Sequence, residues 1–375
     1  MTDAIARVTM PKWGLSMKQG KITEWLAAEG DTVHEGDDLA DIDTEKIAGT
    51  LEATTSGVLR RIVAGAGSDA PVGATIAVVA PAEVPDAEIE AVVAAARDEI
   101  ASGAVDEEAG PAERTVEVNG RAIAVASLGE GDATPVVLVH GYGGDANSWL
   151  FVQEPLAGDR PVHALNLPGH GGSAKDVGDG SLDVLAAAVT GFCDAAGIGR
   201  AHLVGHSLGG AVVAAAARAR PDLAASLTLV APAGFGPRAD GEYLRGFASA
   251  ASRRELKPLL GRLFADASLV NRQLVDDVLK YKRLDGVDGC LRALLPTLLA
   301  DGADGAGDAQ AIDGPSLLDG VTAPVAVVWG TEDRILPPPP DPPPGTTYTA
   351  VPGAGHMVHM EGPSAVREVI TGLLA

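Results

Sequence analysis

Gly205-His206-Ser207-Leu208-Gly209-Gly210 is the stretch on which the fold turns. Ala201-His202-Leu203-Val204 runs into it with the length and apolarity of a buried strand. An alanine-rich run from Ala211 to Arg220 leads out of it at helical length. A serine between glycines at such a junction is a nucleophile elbow. The backbone turns so sharply that the serine takes a strained conformation, and small residues at the flanking positions let the turn close. The hydroxyl then stands clear of the sheet at a helix N-terminus, where it can attack a carbonyl while nearby amides hold the oxyanion. Glycine and serine are common in loops, so the motif needs partners elsewhere in the chain.

Those partners lie within residues 114–375. Thr115 to Val118, Asn119-Gly120 and Ala122 to Ser127 read as a hairpin with a tight turn. Six strand candidates then alternate with helical segments. They are Val136 to Val139, Val162 to Leu165, Ala201 to Val204, Leu227 to Val230, Val325 to Trp329 and Thr347 to Val351. Such alternation predicts a mostly parallel sheet covered on both faces, with the site at the C-terminal strand ends. His140-Gly141-Tyr142-Gly143-Gly144 follows the first strand and suits an oxyanion loop. Pro168-Gly169-His170-Gly171-Gly172-Ser173 follows the second and reads as a structural turn. Gly330-Thr331-Glu332-Asp333 and Gly353-Ala354-Gly355-His356 follow the last two.

The chain order Ser207, Asp333, His356 and these strand-end motifs resemble the α/β-hydrolase superfamily. The resemblance implies Ser207 as nucleophile, His356 as base and Asp333 as its orienting carboxylate. It implies the amides of Leu208 and Tyr142 as oxyanion donors, with Gly143 as the alternative to Tyr142. His359 competes with His356, and Glu332 with Asp333. His206, inside the elbow, reads as a helix-entry residue rather than an acid or base. Residues 235–310 interrupt the alternation with mixed-charge helices and are expected to form a cap over the cleft.

Residues 1–80 are an all-β segment that repeats itself. A shift of 37 positions superposes Gly20 on Gly57, Ile22 on Leu59, Trp25 on Ile62, Gly30 on Gly67, Gly36 on Gly73 and Leu39 on Ile76. Matched glycines mean matched turns, so a flattened barrel or sandwich with pseudo-twofold symmetry is expected. Asp43-Thr44-Glu45-Lys46 sits between the halves. With Met10-Pro11-Lys12 and Gly30-Asp31, it resembles the lipoyl domains of 2-oxoacid dehydrogenase complexes. That resemblance implies (R)-lipoate in amide linkage on Lys46. Glu45 and Ile47 replace the methionines that flank a biotinylated lysine. Residues 81–113 are acidic and alanine-rich. They read as a tether in which Ile89, Val92, Val93, Ala96 and Ile100 form a transient helix.

The fused halves resemble the acetyltransferase (E2) family of acetoin dehydrogenase complexes. The implied reaction passes an acetyl group from the Lys46 arm to CoA, by way of acyl-Ser207. Implied partners are a thiamine-dependent E1 and an FAD-dependent dihydrolipoamide dehydrogenase, and a homo-oligomer is expected. A lipoyl-tethered serine hydrolase or thioesterase, or a non-catalytic scaffold of hydrolase fold, are the alternatives. The net charge of −23 disfavours nucleic acid and anionic membranes. No apolar run spans a bilayer, no secretory signal is visible, and Cys193 and Cys290 suggest neither a disulfide framework nor a metal site. A cytoplasmic protein is expected.

Overall fold

The computed structural model describes residues 5–11, 19–43, 48–102, 112–300 and 309–374. The chain divides into two compact units, Met1–Pro111 and Ala112–Ala375.

In the first unit, β1 (Ala6–Thr9), β8 (Thr75–Ala80), β6 (Gly57–Ile62) and β3 (Thr32–Val33) form one sheet. The other holds β5 (Ala48–Glu52), β4 (Asp38–Asp43), β2 (Gln19–Trp25) and β7 (Asp69–Pro71). The 37-residue repeat is written in their hydrogen bonds. Gly30 N donates to Leu59 O, and its counterpart Gly67 N donates to Ile22 O. Leu26 and Ala27 both donate to Leu39 O, as Val63 and Ala64 do to Ile76 O. Gly30, Gly67, Gly36 and Gly73 all have φ between 81° and 95°, which side chains rarely adopt.

The first part of the expected tether is folded. Helix α1 (Asp86–Ser102) buries Ile89 and Val93 against Val78 and Ala80 of β8. Arg60 pairs with Asp86 at 2.6 Å, Arg61 with Glu90 at 2.7 Å and Arg7 with Glu99 at 2.9 Å. The apolar stripe read as a transient helix is thus one face of a docked element.

The second unit is built on an eight-stranded sheet, among the described residues. Its strands are β9 (Ala112–Val118), β10 (Arg121–Leu128), β11 (Val136–Val139), β12 (Val162–Leu165), β13 (Ala201–His206), β14 (Ala224–Val230), β15 (Val325–Gly330) and β16 (Thr347–Val351). They lie in the order β16-β15-β14-β13-β11-β12-β10-β9. The six from β11 to β16 run parallel, and the β9–β10 hairpin adds antiparallel strands at one edge. Asn119 and Gly120 both have positive φ, as a type I′ hairpin turn requires. Helices α2 (Leu150–Leu156), α3 (Leu182–Ala195) and α4 (Leu208–Ala219) follow β11, β12 and β13 in turn. After β14 come α5 (Gly241–Ser249), α6 (Arg253–Leu260), α7 (Arg272–Lys282), α8 (Val287–Leu298) and the short α9 (Gly314–Leu317). Last are α10 (Val358–Glu361) and α11 (Pro363–Thr371).

Helix α4 packs on the middle of the sheet through a face of small residues, and Leu208 through Ala217 are all buried. The approach leaves no room at the elbow. A Cβ on Gly205 would lie 2.2 Å from Gly209 O, and one on Gly209 would lie 2.3 Å from Val139 O and 2.4 Å from His140 O. These obstacles are backbone, so they cannot rotate away. Gly209→Ala is expected to destabilise the chain by about 3 kcal/mol, the upper range for overpacking. A urea midpoint equal to that of the parent chain would refute this.

Candidate active site

Ser207 sits between β13 and α4 with φ 53° and ψ −119°, a left-handed-side conformation that a non-glycine residue rarely holds. Its amide donates to Val230 O at 2.9 Å and its carbonyl accepts from Ala233, so the end of β14 and the turn after it clamp the strained residue. The loop after β11 lies directly against it. A Cβ on Gly141 would fall 2.9 Å from both Ser207 Cβ and His206 Nδ1.

Asp333 and His356 meet. His356 Nδ1 lies 2.8 Å from Asp333 Oδ2, and both side chains are almost fully buried. A carboxylate only accepts, so Nδ1 carries the proton of this hydrogen bond. Asp333 is held from every side. Trp329 Nε1 donates to Oδ2 at 3.1 Å, and the amides of Ile335 and Leu336 each donate to Oδ1 at 2.9 Å. These bonds orient the carboxylate and satisfy its charge without water. Glu332 is exposed, with no such contacts. A Cβ on Gly330 would lie 2.2 Å from Gly355 O, so the loops carrying Asp333 and His356 are locked together.

The histidines packed around this pair, His140, His170, His206 and His359, are buried, and burial pushes the pKa of each below its ordinary value. His359 packs between the rings of Trp149 (4.5 Å) and His206 (4.4 Å), and neither of its nitrogens has a hydrogen-bond partner. Burial, helped by the charge of His356, pushes it down to about 3. It has no carboxylate to make it a base. Burial also holds His206 well below its ordinary value, with His359 and His356 adding to the effect. His206 Nε2 donates to the His356 carbonyl at 2.9 Å, and the two rings lie 4.7 Å apart. The residue beside Ser207 thus fastens the strand end to the loop that carries His356.

The loop after β11 is organised by a residue that reads as part of a turn. His170 Nε2 accepts from the Gly143 amide at 3.1 Å, while its Nδ1 donates to Pro168 O at 3.0 Å. Burial, then the charge of His140, pushes His170 down to about 3, so it stays an acceptor. The Gly143 amide is therefore engaged. The amides of Tyr142 and Leu208 donate to no group among the described residues. His140 completes the loop. Its Nε2 accepts from the Leu167 amide at 3.0 Å and its Nδ1 donates to Gly141 O at 2.7 Å. His170, His206 and Trp329 are supporting residues that sequence reasoning passed over. Each acts through a contact distant in the chain or inside a loop, and only histidines in glycine-rich strand-end loops hinted at two of them.

The helices after β14 reach this loop and the one after β12. Tyr142 Oη donates to Leu291 O of α8 at 2.8 Å, and Tyr281 Oη of α7 to Gly169 O at 2.8 Å. Phe247 of α5 fills the space over Gly143, where a Cβ would lie 2.3 Å from its ring. Above Phe247, 5.2 Å from the ring centre, sits the ammonium of Lys282, buried and bonded to Ala248 O and to Asp288 Oδ1.

Lys46 lies outside the described residues, with Thr44, Glu45 and Ile47. The strands on either side, β4 and β5, pair antiparallel from Asp38↔Glu52 to Asp43↔Ala48. The last pair of this ladder brackets Lys46 in the chain, with Asp43 three residues before it and Ala48 two after. A lysine that follows so closely on a pinned ladder in a symmetric β unit fits an amide-linked lipoyl arm.

Comparison with known proteins bears on both units. Residues 134–363 match the family described as alpha/beta hydrolase fold, and residues 6–79 the one described as biotin-requiring enzyme. Over 372 residues the chain is 46% identical to a dihydrolipoyllysine-residue acetyltransferase component of acetoin cleaving system from Pseudomonas putida. That alignment covers 99% of this chain and 98% of the relative. A protein of the same description from Cupriavidus necator is 44% identical, over 96% of this chain and 95% of its own. Among solved structures, a meta-cleavage product hydrolase from Pseudomonas fluorescens IP01 superposes with a TM-score of 0.60 at 19% identity. It covers 69% of this chain and 96% of that one, a likeness of fold.

Proposed function

Since the chain belongs to the family of dihydrolipoyllysine-residue acetyltransferase components of acetoin cleaving systems, we propose that Ser207 carries the acetyl group from a lipoyl arm on Lys46 to CoA. The observation that carries this reading is the buried Asp333–His356 pair, 2.8 Å apart, behind a strained Ser207. When attached, the lipoyl dithiol supplies the acetyl group as a thioester.

The chain's own residues do the rest. His356 Nε2 takes the proton of Ser207 Oγ as the oxygen attacks the donor carbonyl. The amides of Leu208 and Tyr142 hold the tetrahedral oxyanion, aided by the N-terminus of α4. Collapse breaks the carbon–sulfur bond, and His356 returns its proton to the leaving thiol. The CoA thiol then enters and loses its proton to His356, and its sulfur attacks acyl-Ser207. The second collapse forms acetyl-CoA, and His356 gives the proton back to Ser207 Oγ. Asp333 stabilises the imidazolium in both halves. Phe247 and the Tyr142–Leu291 contact cover the loop with apolar groups, which favours a thiol acceptor over water.

Membership of this family implies an E1 and an E3 partner. In this reading the E1 is thiamine-dependent and loads the arm by cleaving acetoin, the E3 is the FAD-dependent dihydrolipoamide dehydrogenase, and the chain acts as a homo-oligomer. No helix among the described residues is long and apolar enough to cross a membrane; a cytoplasmic location is part of the proposed reading. Acetyl-dihydrolipoamide is the donor for the test. Its thioester is expected to be consumed rapidly only with CoA present, yielding acetyl-CoA. Equal consumption with and without CoA would make the chain a thioesterase instead.

A further inference from the structure

The charge of this chain is unevenly spread. Residues 241–298, which hold α5 to α8, carry ten lysines and arginines against seven aspartates and glutamates. The whole chain has 28 against 51. A strongly acidic protein therefore places a net positive element over its candidate active site, and CoA is a polyanion that the remaining surface repels.

Within that element the basic groups converge. Arg253 of α6 grips Asp276 of α7 through both carboxylate oxygens. Arg272 Nε lies 3.9 Å from the same carboxylate. Arg283 follows α7 on the face of Asp276, seven residues on, and its charge also acts on that carboxylate. One carboxylate thus answers three guanidiniums. All three arginines are exposed, as are Arg254 and Lys280 nearby. Hydrogen bonding from Arg253, with the charges of Arg253, Arg272 and Arg283 behind it, holds the Asp276 carboxyl below its ordinary range.

Helix α7 connects this cluster to the chemistry. Its C-terminal end reaches both strand-end loops: Tyr281 bonds Gly169 of the loop after β12, and Lys282 sits over Phe247, which covers Gly143 of the loop after β11. Its eleven residues span about 16 Å, with Arg272 at the first position and Arg283 just past the last. On the acetyltransferase reading, we infer that Arg253, Arg272 and Arg283, spread along α7, form the binding surface for the phosphate-bearing part of CoA, with the pantetheine arm passing from the C-terminal end of α7 toward Ser207. Guanidiniums suit this task, because they pair bidentately with phosphate oxygens.

The full-length lipoylated chain is assayed with saturating acetyl-dihydrolipoamide and three acceptor thiols: CoA, 3′-dephospho-CoA and pantetheine. In the double variant Arg272→Gln, Arg283→Gln, the ratio of kcat/KM for CoA to that for pantetheine is expected to fall roughly tenfold. The loss should appear in KM, with dephospho-CoA intermediate. Arg283→Lys should recover part of it, and rising salt should lower the parent chain's ratio. Calorimetry with CoA alone reads the same surface without turnover, and binding should weaken to match. Equal losses with CoA and pantetheine would overturn the assignment, as would a shift confined to the donor or unaltered CoA binding. A parent chain that transfers to no thiol yet binds CoA through these arginines would instead contradict the acetyltransferase reading.

Discussion

Ser207→Ala should lower CoA-dependent acetyl transfer by at least about 10⁴-fold, because in the proposed mechanism it removes the nucleophile of a unit whose members act together. The size of the loss discriminates between two mechanisms. If the CoA thiol attacked the donor thioester directly, with His356 as its base, Ser207 could only donate a hydrogen bond to the oxyanion. Removing one such donor costs about 10²–10³ in rate. A covalent route loses its carrier altogether. The geometry favours the covalent route, since the chain holds Ser207 at φ 53° and packs Gly205, Gly209 and Gly141 around it with no space for side chains. A residue that merely donated would not need that strain. Rapid quench with labelled acetyl-dihydrolipoamide and no CoA is expected to leave label on Ser207 of the parent chain and none on the variant. A variant that retains a hundredth of the parent rate would point to direct thiolysis.

The two halves of the chain differed in how openly the sequence expressed them. Periodic features were plain. The 37-residue repeat anticipated paired hydrogen bonds such as Gly30–Leu59 and Gly67–Ile22, because a glycine with positive φ marks its turn wherever it stands. The six parallel strands were legible as short apolar runs, and their ends carried Ser207, Asp333 and His356. The juxtaposition of Asp333 with His356 could be anticipated because adjacent strands β15 and β16 deliver both. What stayed hidden depended on surfaces. An amphipathic stripe at Ile89 and Val93 looks alike in a solvated tether and in a docked helix. Only the apolar face of Val78 and Ala80 separates the two. His170 and His206 were obscure for a related reason. Their partners, the Gly143 amide and the His356 carbonyl, are backbone groups that no side-chain pattern announces. The same holds for Trp329, whose indole reaches Asp333 only because the loop after β15 folds back.

Lys46→Arg is expected to remove acetoin-driven acetyl-CoA formation entirely while leaving transfer from free acetyl-dihydrolipoamide within about twofold, the range for surface changes away from a site. Arginine keeps the positive charge, but its delocalised guanidinium does not form the amide that carries lipoate. The two assays separate because they use the two units differently. A tethered donor meets its acceptor at an effective concentration on the order of millimolar, set by the linker and independent of bulk supply. Here α1 is folded against the first unit, so any tether is shorter than composition suggests. A free donor supplied at similar concentration bypasses Lys46 and meets the second unit alone. Intact mass should show the lipoyl increment on the parent chain and its absence from the variant. Acetoin-driven turnover surviving in the variant would mean that the acetyl group reaches Ser207 without the Lys46 arm, and it would break the link between the two units. Loss of both activities together would point to damage in the hydrolase-fold unit, which a residue of the first unit has no reason to cause.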